Sequence, residues 1–147
     1  MLLKKLLANQ KLVLPVDSLV IPTNATGMIN ARKEARIAPL GQVRPDEVIL
    51  DNGPGTSALL AHLTEKARTI LWNGPLGKYE QGFVDATNAL ACTIAASHAH
   101  SVVGGGNTVA AIESLGIFPH FSFVSTGGGA MLDFLAKGTL PGIEALA

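Results

Sequence analysis

Ser101-Val102-Val103-Gly104-Gly105-Gly106-Asn107-Thr108 and, one unit later, Phe123-Val124-Ser125-Thr126-Gly127-Gly128-Gly129-Ala130 decide the fold. In each stretch a short apolar strand runs into three glycines and then opens a helix. Glycine lets the backbone turn sharply and lets a bulky anion approach the N–H groups, because no Cβ intervenes. The first turn of a helix has unpaired donors and a partial positive charge, so a phosphate is its natural guest. One such turn is explained as readily by tight strand-to-helix packing. Two in successive units favour an anion site, and adjacent strands would set the two helix starts side by side.

The same alternation extends in both directions. Val48–Leu50 is a strand, Asn52–Gly55 a turn, and Ser57–Ala67 a helix with Leu59, Leu60 and Leu63 on one face. Ile70–Trp72 is the next strand, closed by Asn73-Gly74-Pro75, and Phe83–Ser97 is a long alanine-rich helix. His100–Val103 and Phe121–Val124 are strands, followed by helices over Asn107–Leu115 and Ala130–Ala136. Upstream, Lys11–Pro15 and Leu19–Ile21 have the character of short buried strands, and Thr23–Arg44 that of a polar surface excursion with the turn signals of a hairpin. Leu2, Leu3, Leu6 and Leu7 have the spacing of one or two amphipathic helical turns. Strands alternating with helices predict an α/β domain of three αβα layers, Rossmann-like, with a mostly parallel sheet and a ligand beyond the strands' carboxyl ends.

Composition limits what that ligand can be. The 147 residues fit one domain, and their formal net charge of zero provides no global field for nucleic acid or an anionic membrane. Anion binding must be local. Of 16 glycines, six lie in the two triplets, which is concentration rather than linker composition. Cys92 is alone, which excludes an internal disulfide, fits a reducing compartment, and suggests a small core residue. Met1–Leu7 is too short and broken for a signal peptide or membrane span. The four histidines, His62, His98, His100 and His120, lack metal-ligand spacing, and His98 and His100 suit a surface turn.

Two familiar nucleotide motifs fail. The dinucleotide fingerprint needs glycine where Val109 and Leu132 stand, and a P-loop needs Ser or Thr where Tyr79 follows Gly77-Lys78. A third element remains, Trp72-Asn73-Gly74-Pro75-Leu76-Gly77-Lys78-Tyr79-Glu80. It offers an amide for phosphate, an apolar wall for a base and a carboxylate for ribose hydroxyls. Taken singly, Asn73 is equally a turn residue and Glu80 a solvated carboxylate.

In order along the chain, WNGPLGKYE (72–80), VVGGGNTVAA (102–111), VSTGGGAMLDFL (124–135) and LPGIEAL (140–146) resemble the C-terminal signatures of the phosphoglycerate kinase family. LPVDSLV (14–20) and ILDNGP (49–54) are similar to further family segments. The resemblance spans essentially the whole chain. It implies that residues 1–147 are a partial nucleotide-binding C-terminal domain of a two-domain kinase, with the N-terminal substrate domain absent. It further implies ATP/ADP with Mg2+, 3-phosphoglycerate bound only through that N-terminal domain, a monomeric parent and a cytoplasmic place in glycolysis. By the same resemblance Asn73 contacts nucleotide phosphates, Glu80 the ribose, and Leu50, Gly53 and Pro75 line the adenine region. Gly104, Gly105, Gly106, Asn107 and Thr108 form the phosphate and metal corner. Gly127, Gly128 and Gly129, with Gly105, offer amides to the phosphoryl group in flight.

The chain departs from the family pattern at Asn107, where Asp is usual and helps hold magnesium–nucleotide. An amide oxygen can ligate a hard cation but brings no negative charge, which implies weakened rather than absent metal–nucleotide binding. Lys78 replaces an apolar residue, Ala86 a glycine and Asp133 a glutamate. Half a site should catalyse almost nothing, so the isolated chain is expected to be inactive. The alternative is a stand-alone nucleotide-binding or interaction module that kept the fold without the chemistry.

Overall fold

The computed structural model describes residue 5 and residues 7–25 and 34–146. The expected helical start at Met1–Leu7 and the tip of the excursion, residues 26–33, lie largely outside the described residues. Among the described residues there are six strands: β1 (Asp17–Pro22), β2 (Arg36–Pro39), β3 (Glu47–Asn52), β4 (Thr69–Asn73), β5 (His100–Gly104) and β6 (Phe123–Ser125). The helices whose bounds fall within the described residues are α1 (Pro54–Lys66), α2 (Asp85–Ala95), α3 (Gly106–Ser114), α4 (Gly128–Lys137) and the short α5 (Pro141–Glu144).

The strands form two sheets rather than one mostly parallel sheet. The first, ordered β2-β1-β3, is wholly antiparallel, and the second, ordered β4-β5-β6, is wholly parallel. The excursion therefore contributes a strand, β2, whose Ala38 is fully buried. Lys11–Pro15 is not a strand: Lys11–Leu14 are exposed and Pro15 is half-buried. Its apolar run has no sheet partner among the described residues, and the chain enters the sheet only at Asp17.

That entry is fixed by polar contacts. The Asp17 carboxylate accepts the N–H groups of Gly55 (2.8 Å) and Thr56 (2.7 Å), two of the unpaired donors opening α1. The Thr56 hydroxyl donates to that carboxylate (2.7 Å) and accepts the N–H groups of Val16 and Asp17 (3.0 and 3.1 Å). Desolvation tends to raise the Asp17 pKa, but the hydrogen bonds from Thr56 and Gly55 prevail and hold it below its ordinary value. α1 thus has a cap from 38 or 39 residues away, with Pro54 at its first helical position.

On the far side of the antiparallel sheet Arg36 of β2 forks onto Glu47 of β3, with both contacts at 2.7 Å. The Arg36 guanidinium and the N–H of Arg44 hold the Glu47 carboxyl at about 2. The β1–β3 register shifts between Leu19 and Val20, which leaves Leu50 as a bulge without a ladder partner.

In the parallel sheet the two crossovers, β4-α2-β5 and β5-α3-β6, step in the same direction. Right-handed connections then put both helices on one face, and α2 and α3 touch. Beneath them lies the main core: Trp72, Ala91, Ile94, Val103, Ile112 and Phe121. Met131 of α4 lies over Gly104 on the opposite face. The architecture is α/β and broadly Rossmann-like, with mixed parallel and antiparallel sheets. Cys92 is exposed on α2 rather than in the core, because Ala91 and Ile94 take the inward positions. His62, His98, His100 and His120 are exposed. No helix among the described residues is long and apolar enough to cross a membrane.

Replacing Asp17 by Ala removes the α1 cap and should lower stability by about 1–2 kcal/mol in urea denaturation at neutral pH. Glu47 gives a pH signature: its contribution is full above the ordinary value of 4.5 and is lost as pH falls through about 2. Glu47→Gln should therefore flatten the dependence of unfolding free energy on pH across that window.

Candidate functional site: the strand-end corner

The parallel register aligns three strand ends: Asn73 pairs with Gly104, and Gly104 with Ser125. The residues that follow must turn into helices at one level. Gly105 caps α3 with φ +97°, a conformation that favours glycine, and Gly127 caps α4. Neither helix start receives a side-chain cap, so their first-turn donors face the same corner.

The two turns are in contact. A Cβ on Gly128 would stand 2.6 Å from Gly105 Cα and 2.9 Å from Asn73 Oδ1. A Cβ on Gly105 would stand 2.7 Å from that same oxygen. The Asn73 amide donates from Nδ2 to the Gly128 carbonyl (3.1 Å), so one side chain spans β4 and α4 while its oxygen faces Gly105. Thr108, fully buried in the first turn of α3, accepts the N–H of Gly74 (3.0 Å). Asn73, Gly105, Gly128 and Thr108 therefore form one packed unit. Gly106 and Gly129 have nothing within 4 Å of where a Cβ would stand, and both are exposed. Packing explains glycine at 105 and 128, whereas open backbone access remains at 106 and 129.

Beside the corner, Asn107 donates from Nδ2 to Glu80 Oε1 (3.1 Å). These two residues line a groove of about 360 Å³ with Lys78, Tyr79 and Gln81. An amide, a carboxylate, an ammonium and a phenol meet at its wall. The segment holding Glu80 is a 3₁₀ turn, Tyr79–Gln81, closed by Gly82 at φ +80°.

Four residues hold this segment, and of them only Leu50 is given a place in the site from the sequence. The bulged Leu50 accepts the N–H of Lys78 (2.8 Å) through its carbonyl. Asp51, buried at the end of β3, accepts the N–H groups of Asn52 (2.8 Å) and of Ala86 at the start of α2 (3.1 Å). Gly77 packs so closely on the Asp51 carboxylate that a Cβ there would also come within 2.7 Å of the Phe83 carbonyl. Burial pushes the Asp51 pKa up, against the two amide donors that lower it, and the nearby Asp85 adds to the rise. Thr87, fully buried, accepts the N–H of Leu76 (3.0 Å). For Asp51 the available signal was a lone carboxylate ending an apolar strand; for Thr87 the sequence offered none. Leu50 had been assigned to the adenine region, and its anchoring role depends on the bulge.

The other expected residues lie close by without joining the Glu80 groove. Pro75 is half-buried in the connecting loop, where Trp72 Nε1 donates back to the Gly74 carbonyl (2.9 Å). Leu50 is buried in a second core cluster with Ile21 and Phe83. Gly53 lines a separate groove of about 350 Å³ that also contains Asp51 and Asp85.

Comparison with known proteins agrees with this geometry. The family profile described as phosphoglycerate kinase matches residues 1–138. The phosphoglycerate kinase of Francisella tularensis subsp. tularensis is 50% identical over 114 residues, covering 77% of this chain and 29% of that protein. That of Nitratidesulfovibrio vulgaris is 43% identical over 140 residues, covering 95% of this chain and 34% of that protein. Among solved structures, phosphoglycerate kinase from Coxiella burnetii superposes with a TM-score of 0.76 at 40% identity, over 97% of this chain and 35% of that one. The Pyrococcus horikoshii enzyme gives 0.71 at 35% identity, over 90% and 31%. The chain thus spans about a third of the length of the relatives it matches. With its strand-end corner, its glycine junctions and this extent of match, the chain belongs to the phosphoglycerate kinase family.

Proposed function

We propose that this chain is the nucleotide-binding, C-terminal part of a phosphoglycerate kinase, which moves a phosphoryl group between 1,3-bisphosphoglycerate and ADP in cytoplasmic glycolysis. The single observation that carries the reading is the joined corner. Two uncapped helix starts, locked together through Asn73, Gly105 and Gly128, lie beside the Asn107–Glu80 groove. Fixed backbone dipoles suit phosphoryl transfer, in which charge spreads over equatorial oxygens and needs donors already in place.

In this assignment the nucleotide phosphates lie against residues 104–108 and Asn73. Gly127, Gly128, Gly129 and Gly105 face the phosphoryl group in flight. Glu80 takes the ribose, and Leu50, Gly53 and Pro75 lie on the adenine side. The Lys78–Leu50 hydrogen bond supports that side by tying the end of β3 to the Glu80 segment. No group of three or more His, Cys, Asp or Glu side chains is gathered for a metal among the described residues. Mg2+ carried on a nucleotide does not need one, because phosphates and waters supply most of its oxygens. The Asn107 amide, whose nitrogen is engaged by Glu80, has its Oδ1 to offer and fits that modest demand. When bound, the ion neutralises phosphate charge. 3-Phosphoglycerate would bind through an N-terminal domain in the remainder of the family's length. Because the chemistry rests on positioning between two domains, these 147 residues alone would bind nucleotide without turning it over.

Two sets of variants test the assignment by calorimetric titration of Mg–ADP and Mg–ATP. Asn107→Asp replaces a hydrogen bond to Glu80 by two like charges that a divalent cation relieves, so Mg–ADP affinity should rise about tenfold. Unchanged affinity would remove Asn107 from the metal corner. Gly128→Ala forces a Cβ into Gly105 and should cost about 1–3 kcal/mol of stability. Gly129→Ala meets nothing, so it should leave the unfolding midpoint near the parent's while weakening Mg–ATP about tenfold. A Gly129→Ala chain that binds Mg–ATP normally would exclude the second glycine junction from phosphate contact.

A further inference from the structure

Residues 77–83 form a loop closed on itself. The Lys78 carbonyl accepts the N–H groups of Gln81 (2.9 Å) and Phe83 (3.3 Å). The Gly77 carbonyl accepts the N–H of Tyr79 (2.8 Å), and the Tyr79 carbonyl that of Gly82 (2.9 Å). Glu80 stands at the exposed tip, and Gly77 and Phe83 meet at the base. These bonds fix the tip relative to the base, so the place of the Glu80 carboxylate follows from how the base is held.

The base rests on Asp51. Gly77 is wedged between the Asp51 carboxylate and the Phe83 carbonyl, with no room for a Cβ. Asp51 is itself 3% exposed and is fixed from two directions, by the N–H of Asn52 at the end of β3 and by that of Ala86 in the first turn of α2. The Leu50 carbonyl also holds the loop, through the N–H of Lys78, but it is backbone; Asp51 contributes a side chain. Asp51 does not line the Glu80 groove, so whatever it does there it does through the loop. At the tip, Glu80 Oε1 meets the Asn107 amide at 3.1 Å, a contact that a shift of about 1 Å at the base would break, because hydrogen bonds weaken steeply with distance and angle.

We infer that Asp51 is a positioning residue for ribose recognition: acting through Gly77, it sets the Glu80 carboxylate where the ribose hydroxyls of a nucleotide can donate to it. The inference rests on the assignment of Glu80 to the ribose proposed above, and it gives the selectivity of that contact to a residue outside the groove.

The test compares the affinities of the 147-residue chain for ADP and for 2′,3′-dideoxy-ADP, which lacks both hydroxyls, by calorimetric titration. ADP should bind about tenfold tighter, as expected for hydrogen bonds to a charged acceptor. Asp51→Asn keeps the shape but leaves one oxygen for two N–H donors. Gly77→Ala keeps the carboxylate and displaces the loop from it. Each should bring the two affinities to within about twofold, with the loss falling on ADP and the dideoxy nucleotide bound as before. A merely structural role would weaken both nucleotides alike and overturn the inference. Glu47→Gln, at the other end of β3, alters the contact with Arg36 and should keep the preference for ADP. Should one of the two loop variants unfold, the other decides.

Glu80→Ala separates this inference from the assignment beneath it. If Glu80→Ala abolishes the preference while Asp51→Asn and Gly77→Ala retain it, the inference falls and the ribose assignment stands. No binding of ADP, no preference in the unsubstituted chain, or a preference that survives Glu80→Ala removes the assignment and the inference together.

Discussion

The contact between Gly105 and Gly128, with the Asn73 amide lodged against both, is the constraint on which the rest of the site depends. Parallel register brings the ends of β4, β5 and β6 to one level, and two helices must then start within one small volume. That is possible only where neither turn carries a Cβ, because either methyl group would fall within 3 Å of atoms of the other turn or of Asn73. Asn73 fits because its amide offers a donor to one turn and an oxygen to the other. The same crowding aims both helix starts at one place. Packing and open backbone donors therefore come from the same few residues, with the inner glycines serving packing and the outer ones access.

A second set of contacts stabilises the segment that holds Glu80. It depends on an irregularity: the bulge at Leu50 takes a carbonyl out of the antiparallel ladder and presents it to Lys78. The next residue, Asp51, places a buried carboxylate against Gly77 and at the amino end of α2. Neither residue faces the groove. Together they bring an exposed 3₁₀ turn to within a hydrogen bond of Asn107, so the antiparallel sheet shapes a site built mostly on the parallel one.

The parallel half of the molecule was legible in the sequence because its signals are local. Each strand from Ile70 onward runs within two residues into glycine and is followed by a helical pattern, which fixes element type and order. The antiparallel half was not. Leu19–Ile21 and Val48–Leu50 are apolar runs that would serve in either kind of sheet, and their direction is set by which strand they meet. Lys11–Pro15 has a strand's composition but stays outside the sheets, and Cys92 lies on an apolar-looking helix one position away from the inward face. Within the candidate site the glycine junctions stand out by residue type and spacing, whereas Asn107 is picked out by the family resemblance. Asn73 and Glu80, taken singly, have ordinary readings as a turn residue and a solvated carboxylate. Asp17, Asp51 and Thr87 do not stand out, since their partners lie 11 to 39 residues away and only the folded chain pairs them.

One feature of the connecting loop has an optical consequence. The protein has a single tryptophan and a single tyrosine, Trp72 and Tyr79, and they bracket the segment that leads from β4 to Glu80. The indole is buried and donates to the carbonyl of Gly74, one residue past Asn73, while the phenol lines the groove. Any rearrangement of this loop changes the polarity around the only strong intrinsic fluorophore, whose emission has no background from another indole. The molecule thus contains its own spectroscopic reporter, located where the strand-end corner meets the groove.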